Sequence, residues 1–315
     1  MTDISRTLRD VTLRQLRTFR TVAARGNISA AARELHLTQP AVSLQLRDLE
    51  ASCGLALYAR QGRGIQLTHA GEELALAVDG MLDTLAAVQQ SFDAMRGLRT
   101  GRLRLSVVST AKYFAPTVLA AFAQSHPGIA VQLHVGNRSE VIGELVENRC
   151  DLAIMGRPPS EVATQGRSFA DHPQVIIAPP DDALAGRPVA PRELRERVFL
   201  LREQGSGTRA TMESFLGNAD ITFQTGMEAG SNETIKQAVI AGMGLGFISA
   251  HTIALELATR RLAVLDVAGT PVLRHWYILY RGSRHLSPAA EAFRTFVEDN
   301  GADCIAKAMQ AGNQT

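Results

Sequence analysis

The chain has 315 residues, 45% hydrophobic and 20% charged, with a formal net charge of +2, the composition of ordinary globular material in two or three domains. Its three cysteines (Cys53, Cys150, Cys304) are too few and too far apart for a disulfide framework or a zinc cluster, so a reducing cytoplasm is the expected compartment. The N-terminal MTDISRTLRD carries charges where a signal peptide needs an apolar core, and the most apolar later stretch, 238–250, falls short of the ~20 residues that span a bilayer, so neither secretion nor a membrane is expected.

Charge is unevenly placed. Between Val11 and Gln66 there are eight arginines and three acids. A basic end on a mildly acidic chain is the footprint of a nucleic-acid module, although a basic surface without a partner has the same charge. Leu13, Leu16, Phe19, Val22 and Ala23 recur at helical spacing, and Gly26-Asn27 ends that helix. A short alanine-rich helix follows from Ser29, the expected N-cap, to Leu35. After a turn at His36-Leu37-Thr38, Pro40 opens a third helix, where its missing N–H is harmless. Val42, Leu46 and Leu49 form its buried stripe, leaving Gln39, Ser43, Gln45 and Arg47 to face out. Two short helices about a tight turn, the second presenting hydrogen-bonding side chains, suit the DNA major groove. Segments 55–60 and 64–68 flank Gln61-Gly62-Arg63 as a small hairpin, or wing, with an arginine at its tip.

Phe19-Arg-Thr-Val-Ala, Ser29-Ala-Ala-Ala, Leu35-His-Leu-Thr-Gln-Pro-Ala-Val-Ser43, Leu49-Glu50, Gly54, Leu57-Tyr58-Ala-Arg60, Gly64-Ile-Gln-Leu-Thr68 and Ala70-Gly71 together resemble the signature of LysR-type transcriptional regulators. Leu44 stands where that family often has a basic residue, Ala59 where an acid is usual, and Tyr58 where phenylalanine is usual. The candidate DNA contacts are Ser29, Arg33, Thr38, Gln39, Pro40, Ser43, Gln45, Arg47, Arg60 and Arg63.

From Glu72 to Gly97 there is no proline. Leu74, Val78, Met81, Leu85, Val88, Phe92 and Met95 alternate four and three apart, an a/d heptad pattern over three heptads. Such a stripe either packs on its own domain or pairs two chains. The resemblance implies pairing: a homodimer, assembling to a homotetramer, on a double-stranded operator with dyad symmetry.

Thr100-Gly101 marks a boundary. Beyond it strands and helices alternate: strand 102–108, helix 115–124, strand 129–135, helix 140–148 and strand 151–155. A second series starts near Val175, with strands at 198–201, 221–227 and 245–249 and helices at 208–216 and 233–241. Strand 273–280 returns to the first half and helix 288–300 closes it. Alternation of this kind predicts a parallel α/β sheet, here as two lobes with a cleft between them. The resulting fold class is α/β with an all-α winged helix-turn-helix at the N-terminus and a two-lobed effector domain like that of periplasmic binding proteins. Its expected domains are 1–70 for DNA binding, 71–99 for the linker helix, and 100–315 for effector binding. Lobe I takes 100–170 and 271–300, and lobe II takes 171–270.

Ligands on such sheets sit at strand carboxyl ends. The residues there are Ser109, Thr110 and Lys112, Asn137 and Arg138, Arg157, the loop Gln204-Gly205-Ser206-Gly207-Thr208, and Asn232. A glycine-rich loop at a helix N-terminus offers free N–H groups to an anion. The residues by themselves indicate a small anionic ligand, phosphate or carboxylate. Ser109, Thr110, Ser206 and Asn232 equally suit plain helix caps, and Arg138 and Arg157 a solvated surface. Ser109–Pro116, His126-Pro-Gly-Ile, Val135-Gly-Asn-Arg138 and Asp151–Pro159 resemble the LysR-type branch that regulates the RuBisCO (Calvin-cycle) operon. That resemblance implies an activator of carbon-fixation genes, responsive to a phosphorylated metabolite or nucleotide and working with RNA polymerase. A LysR-type regulator of another operon with a different anion is the alternative.

Two other classes fit less well. A solute-binding protein accounts for 100–300 but has no use for the N-terminal module. For an enzyme there is no GxSxG, Walker A or HExxH, and no dinucleotide glycine fingerprint. His126, His134, His172, His251 and His275 share no ligand spacing, and Cys150, just before a strand, is read as core. No metal or resident cofactor is expected.

Overall fold

The computed structural model describes residues 10–61, 64–95 and 100–311, and the chain divides into two units, Met1–Ala86 and Ala87–Thr315. In the first unit, Thr12 and Gln15 exchange side-chain-to-backbone hydrogen bonds as a capping box that opens α1 (Leu13–Arg25), and Gly26 closes it in the left-handed conformation. α2 (Ile28–Glu34) is capped by Asn27, whose side-chain oxygen accepts from the N–H of Ala30. Ser29, the expected cap, lies inside the helix. Thr38 caps α3 (Gln39–Cys53) through the N–H of Ala41. Phe19, Val22, Ala31, Ala32, Val42, Leu46, Leu49 and Leu57 form one core. The two buried alanines leave room for α2 to lie close against its neighbours. β1 (Tyr58–Gln61) and β2 (Gly64–Leu67) pair antiparallel as the hairpin, and Arg63 at its expected tip lies outside the described residues. α4 (His69–Met95) begins three residues before the sequence pattern suggested.

In the second unit, β3 (Gly101–Val108) pairs in parallel with β4 (Ile129–Gly136) over its whole length. α5 (Ala115–Ser125) connects the two, and α6 (Arg138–Val146) leads to β5 (Leu152–Met155) on the other side of β3. All four residues of β5 are buried, as expected of a strand covered on both faces. There follow β6 (Thr164–Ala178), β7 (Pro188–Val189), β8 (Val198–Arg202), α7 (Gly207–Asn218), β9 (Gln224–Ala229), α8 (Asn232–Ile240), β10 (Leu245–Ser249), α9 (Ala254–Ala258), β11 (Ala263–Val264), β12 (Asp266–Val267), β13 (Val272–Arg281) and α10 (Pro288–Ala311).

The lobes do not have separate parallel sheets. Among the described residues, one nine-stranded sheet runs β4-β3-β5-β13-β6-β10-β8-β9, with β11 on β6. β6 and β13 lie antiparallel through the middle and belong to both lobes, their register running from Val272↔Gln174 to Arg281↔Thr164. The expected lobe limit at 170/171 therefore falls inside β6, whereas that at 270/271 falls just before β13. Gly166 and Pro173 hid the first half of β6, because both residues read as strand breakers in isolation. Separate cores still form at either end: Phe114, Phe122, Phe169, Trp276 and Phe293 in lobe I, and Ile176, Phe199, Met212, Leu216 and Phe247 in lobe II.

Candidate functional site

α3 presents the first candidate surface. Gln39, Pro40, Leu44 and Arg47 are exposed and Ser43 half-buried. Ser29 Oγ donates to Gln39 Oε1 at 3.2 Å, which holds the glutamine at the α2–α3 turn. Arg33 and Arg60 are exposed nearby in the chain order of the same unit. Two expected contacts also have structural work. Gln45 is half-buried: its side-chain oxygen accepts from Thr18 Oγ1 at 2.7 Å and ties α3 to α1. Thr38 spends its hydroxyl oxygen on the cap of α3.

The heptad stripe of α4 divides. Leu74 packs against the helix-turn-helix core and Val78 is fully buried, so these two positions do not form a free seam. Met81, Leu85, Val88 and Phe92 are 52%, 45%, 43% and 51% exposed, an apolar strip that the described residues leave about half open to solvent. The side chain of Met95 lies outside the described residues.

The second candidate is a cleft of about 390 Å³ in the second unit, within the size range of small-molecule sites. Ser109 and Thr110 follow β3, Arg138 opens α6, Arg157 follows β5, and Ser206 and Thr208 flank the start of α7; all six line it. Ser206 and Thr110 make no side-chain cap bond, so the plain-cap alternative fails for both. The N-terminus of α7 thus opens on the cleft without a side chain satisfying its first N–H groups, an arrangement that favours an anion.

Four other expected residues stand back from the cleft. Asn137 caps α6 in a capping box with Glu140. Lys112 is exposed and lies 5.2 Å from the ring centre of Tyr113. Gln204 is exposed on its loop. Asn232 is buried behind the wall, where its amide donates to Thr110 Oγ1 at 3.1 Å and its carbonyl accepts from the Arg202 guanidinium. It positions one residue from each lobe.

The cleft floor was not foreseen. His172 and Gln174 on β6, and Val272, Arg274 and Trp276 on β13, all line it. Each set is spaced two apart, so it falls on one face of its strand, and Arg274 pairs in register with His172. The one available signal was Arg274, a charged residue inside the otherwise apolar and aromatic predicted strand 273–280. Arg202, at the end of β8, adds a fourth guanidinium, paired with Glu203 at 2.7 Å. Burial and the neighbouring Arg157 both depress the Arg138 guanidinium, while Glu161 opposes them more weakly. Among the described residues, Arg157 and Arg274 have no carboxylate within ion-pair distance.

On the floor, the His172 ring stacks on Trp276 at 3.9 Å, and Trp276 Nε1–H donates to His251 Nδ1, outside the lining, at 3.0 Å. Burial pushes His172 down to about 3 and His251 down to about 4, so both are neutral near pH 7. Both ring nitrogens of His172 and Oε1 of Gln174 are buried with no hydrogen-bond partner among the described residues. Histidines scattered in sequence are thus neighbours in space, but among the described residues no His, Cys, Asp or Glu cluster has the makings of a metal site. Cys150 is buried, and burial pushes its thiol up to about 11, far from a reactive thiolate. Among the described residues, no helix is long and apolar enough to cross a membrane.

Residues 13–72 match the model of the bacterial regulatory helix-turn-helix protein, lysR family, and residues 96–302 that of the LysR substrate binding domain. The chain is 47% identical to the HTH-type transcriptional regulator CbbR of Rhizobium meliloti, covering 94% of this chain and 95% of that one. It is 46% identical to the RuBisCO operon transcriptional regulator of Allochromatium vinosum, covering 91% and 95%. Among solved structures, the CcmR regulatory domain of Synechocystis PCC6803 in complex with 2-PG superposes with a TM-score of 0.61 at 37% identity, covering 64% of this chain and 97% of that one. The basic helix-turn-helix, the two-lobed α/β unit and these likenesses agree: the chain belongs to the LysR family of DNA-binding transcriptional regulators, not to an enzyme family, and to the branch that includes RuBisCO operon regulators.

Proposed function

We propose that this regulator activates carbon-fixation genes in response to a small phosphorylated metabolite bound in the cleft. The observation that carries the reading is the convergence of Arg138, Arg157, Arg202 and Arg274 with the open N-terminus of α7 on one cavity. Glu203 is the one carboxylate among its lining residues, so the cavity carries excess positive charge. The ligand named in the CcmR complex supports the same class of effector. The partnerless polar atoms of His172 and Gln174 further suit a ligand that makes hydrogen bonds at its other end.

In this reading α3 enters the major groove, and Gln39, Ser43 and Arg47 meet bases and phosphates. The exposed strip of α4 pairs two protomers on a dyad operator in the cytoplasm, and dimers join as tetramers in contact with RNA polymerase. The effector shifts populations: it favours one lobe arrangement and so one placement of the DNA-reading heads.

Trp276 is the single tryptophan and lines the cleft, so its fluorescence reports occupancy. Titration with 2-PG and with a panel of sugar phosphates is expected to change that signal saturably for at least one of them. Arg138→Ala should weaken that binding about tenfold or more, the scale of a charge-assisted bond, with DNA binding retained. No saturable change with any anion, or full affinity in the variant, overturns the reading.

A further inference from the structure

We propose that Leu44 is a specificity-determining residue of this regulator, and that it reads the 5-methyl group of a thymine in the major groove. Three leucine or valine side chains of α3, Val42, Leu46 and Leu49, are no more than 1% exposed, whereas Leu44 is 55% exposed. Leu44 therefore contributes little to the core, and its place is on the outward face. It directly follows Ser43 and lies one helical turn after the exposed Pro40, so an apolar strip, Pro40 and Leu44, runs beside the hydrogen-bonding strip of Gln39, Ser43 and Arg47.

Base edges in the major groove offer hydrogen-bonding atoms at every pair but only one apolar group, the thymine methyl. A leucine opposite that methyl removes apolar surface from water on both sides. Opposite a cytosine amine or a guanine carbonyl oxygen it leaves a polar group desolvated and unpaired. Leu44 thus favours thymine and also penalises its alternatives, a discrimination that none of the neighbouring polar side chains supplies. The inference rests on α3 being the groove-reading helix.

The test uses the full-length chain and a duplex enriched by it from a random pool. Each thymidine of that duplex is replaced in turn by deoxyuridine, which lacks only the methyl. One position in each half-site is expected to cost the wild type about fourfold in affinity, the scale of one buried methyl group. In Leu44→Ala that cost should vanish while the melting temperature is unchanged. Leu44→Gln should move the enriched base at that position from thymine towards adenine, whose N6 and N7 suit an amide. Insensitivity of the wild type to every deoxyuridine overturns the inference. So does an unchanged deoxyuridine cost in Leu44→Ala, which would assign the methyl contact to Pro40. Gln39→Ala separates the underlying reading: if neither it nor Leu44→Ala alters the enriched sequence, α3 is not the reader, and both readings fall.

Discussion

The two stacked imidazoles at the cleft floor, His172 and His251, make stability depend on pH in a definite direction. His172 and His251 are held neutral by burial, at about 3 and about 4, against an ordinary value of about 6.5 in the unfolded chain. Above pH 6.5 both states are neutral and the two residues contribute no slope. As pH falls from 6.5 towards 4, the unfolded chain takes up protons that the folded chain refuses, and stability falls. Urea unfolding at pH 7.0, 5.5 and 4.5, followed at Trp276, should show this decline. His172→Phe keeps a ring against Trp276, removes two partnerless nitrogens and should flatten the slope; an unchanged slope would show that His172 titrates freely. Few of these features are legible in the sequence. Isolated histidines give no sign of neighbours, and only strand register brings residues 172, 251 and 276 together. Gln39, Ser43 and Arg47 were legible because helical periodicity alone decides which way they face. Gln45 was not, because its partner, Thr18, is on another helix.

At the scale of elements, the hairpin and α4 meet at one close approach. A Cβ on Gly71 would lie 1.9 Å from the carbonyl oxygen of Leu57. This is backbone against backbone, so no side chain can move aside. Gly71→Ala should destabilise the first unit by about 2–3 kcal/mol, measured as a lower unfolding midpoint. Farther along α4, Leu85 is at the centre of the exposed strip Met81, Leu85, Val88 and Phe92. Leu85→Glu should weaken self-association roughly a hundredfold or more, because pairing would bury an unpaired charge. Sedimentation velocity checks this, and an unchanged dimer would place the interface elsewhere. Heptad spacing revealed the stripe but not where along it the helix leaves its own domain. Leu74 and Val78 obey the same period as Leu85, and only packing in the folded unit distinguishes them. The strand and helix order of the second unit was likewise readable, whereas the long ladder of β6 with β13 was not, since pairing partners about a hundred residues apart leave no local trace.

At the scale of the whole molecule, ligand binding and folding are linked. A ligand that binds only the folded cleft at a concentration of 100 times its dissociation constant stabilises the chain by about 2.7 kcal/mol. Because the two units have their own cores, calorimetry should show the effector unit's transition rise with ligand while that of the DNA-binding unit stays in place. A transition that does not move with a ligand Trp276 detects would mean that it also binds the unfolded chain.

β6 and β13 also act as a torsion bar. Their ladder runs through ten register pairs, and sliding by one residue would turn every side chain to the opposite face of the sheet. The lobes are therefore not free to shear past one another along this seam. What stays open is twisting and bending of the two strands, whose pairing is interrupted by one register shift between Trp276 and Tyr277. His172, Gln174, Arg274 and Trp276 are mounted on that bar where it passes beneath the cleft. Under the proposed function, a ligand gripping them would act as a wrench on the shaft, and its binding energy would be delivered as rotation of one lobe against the other.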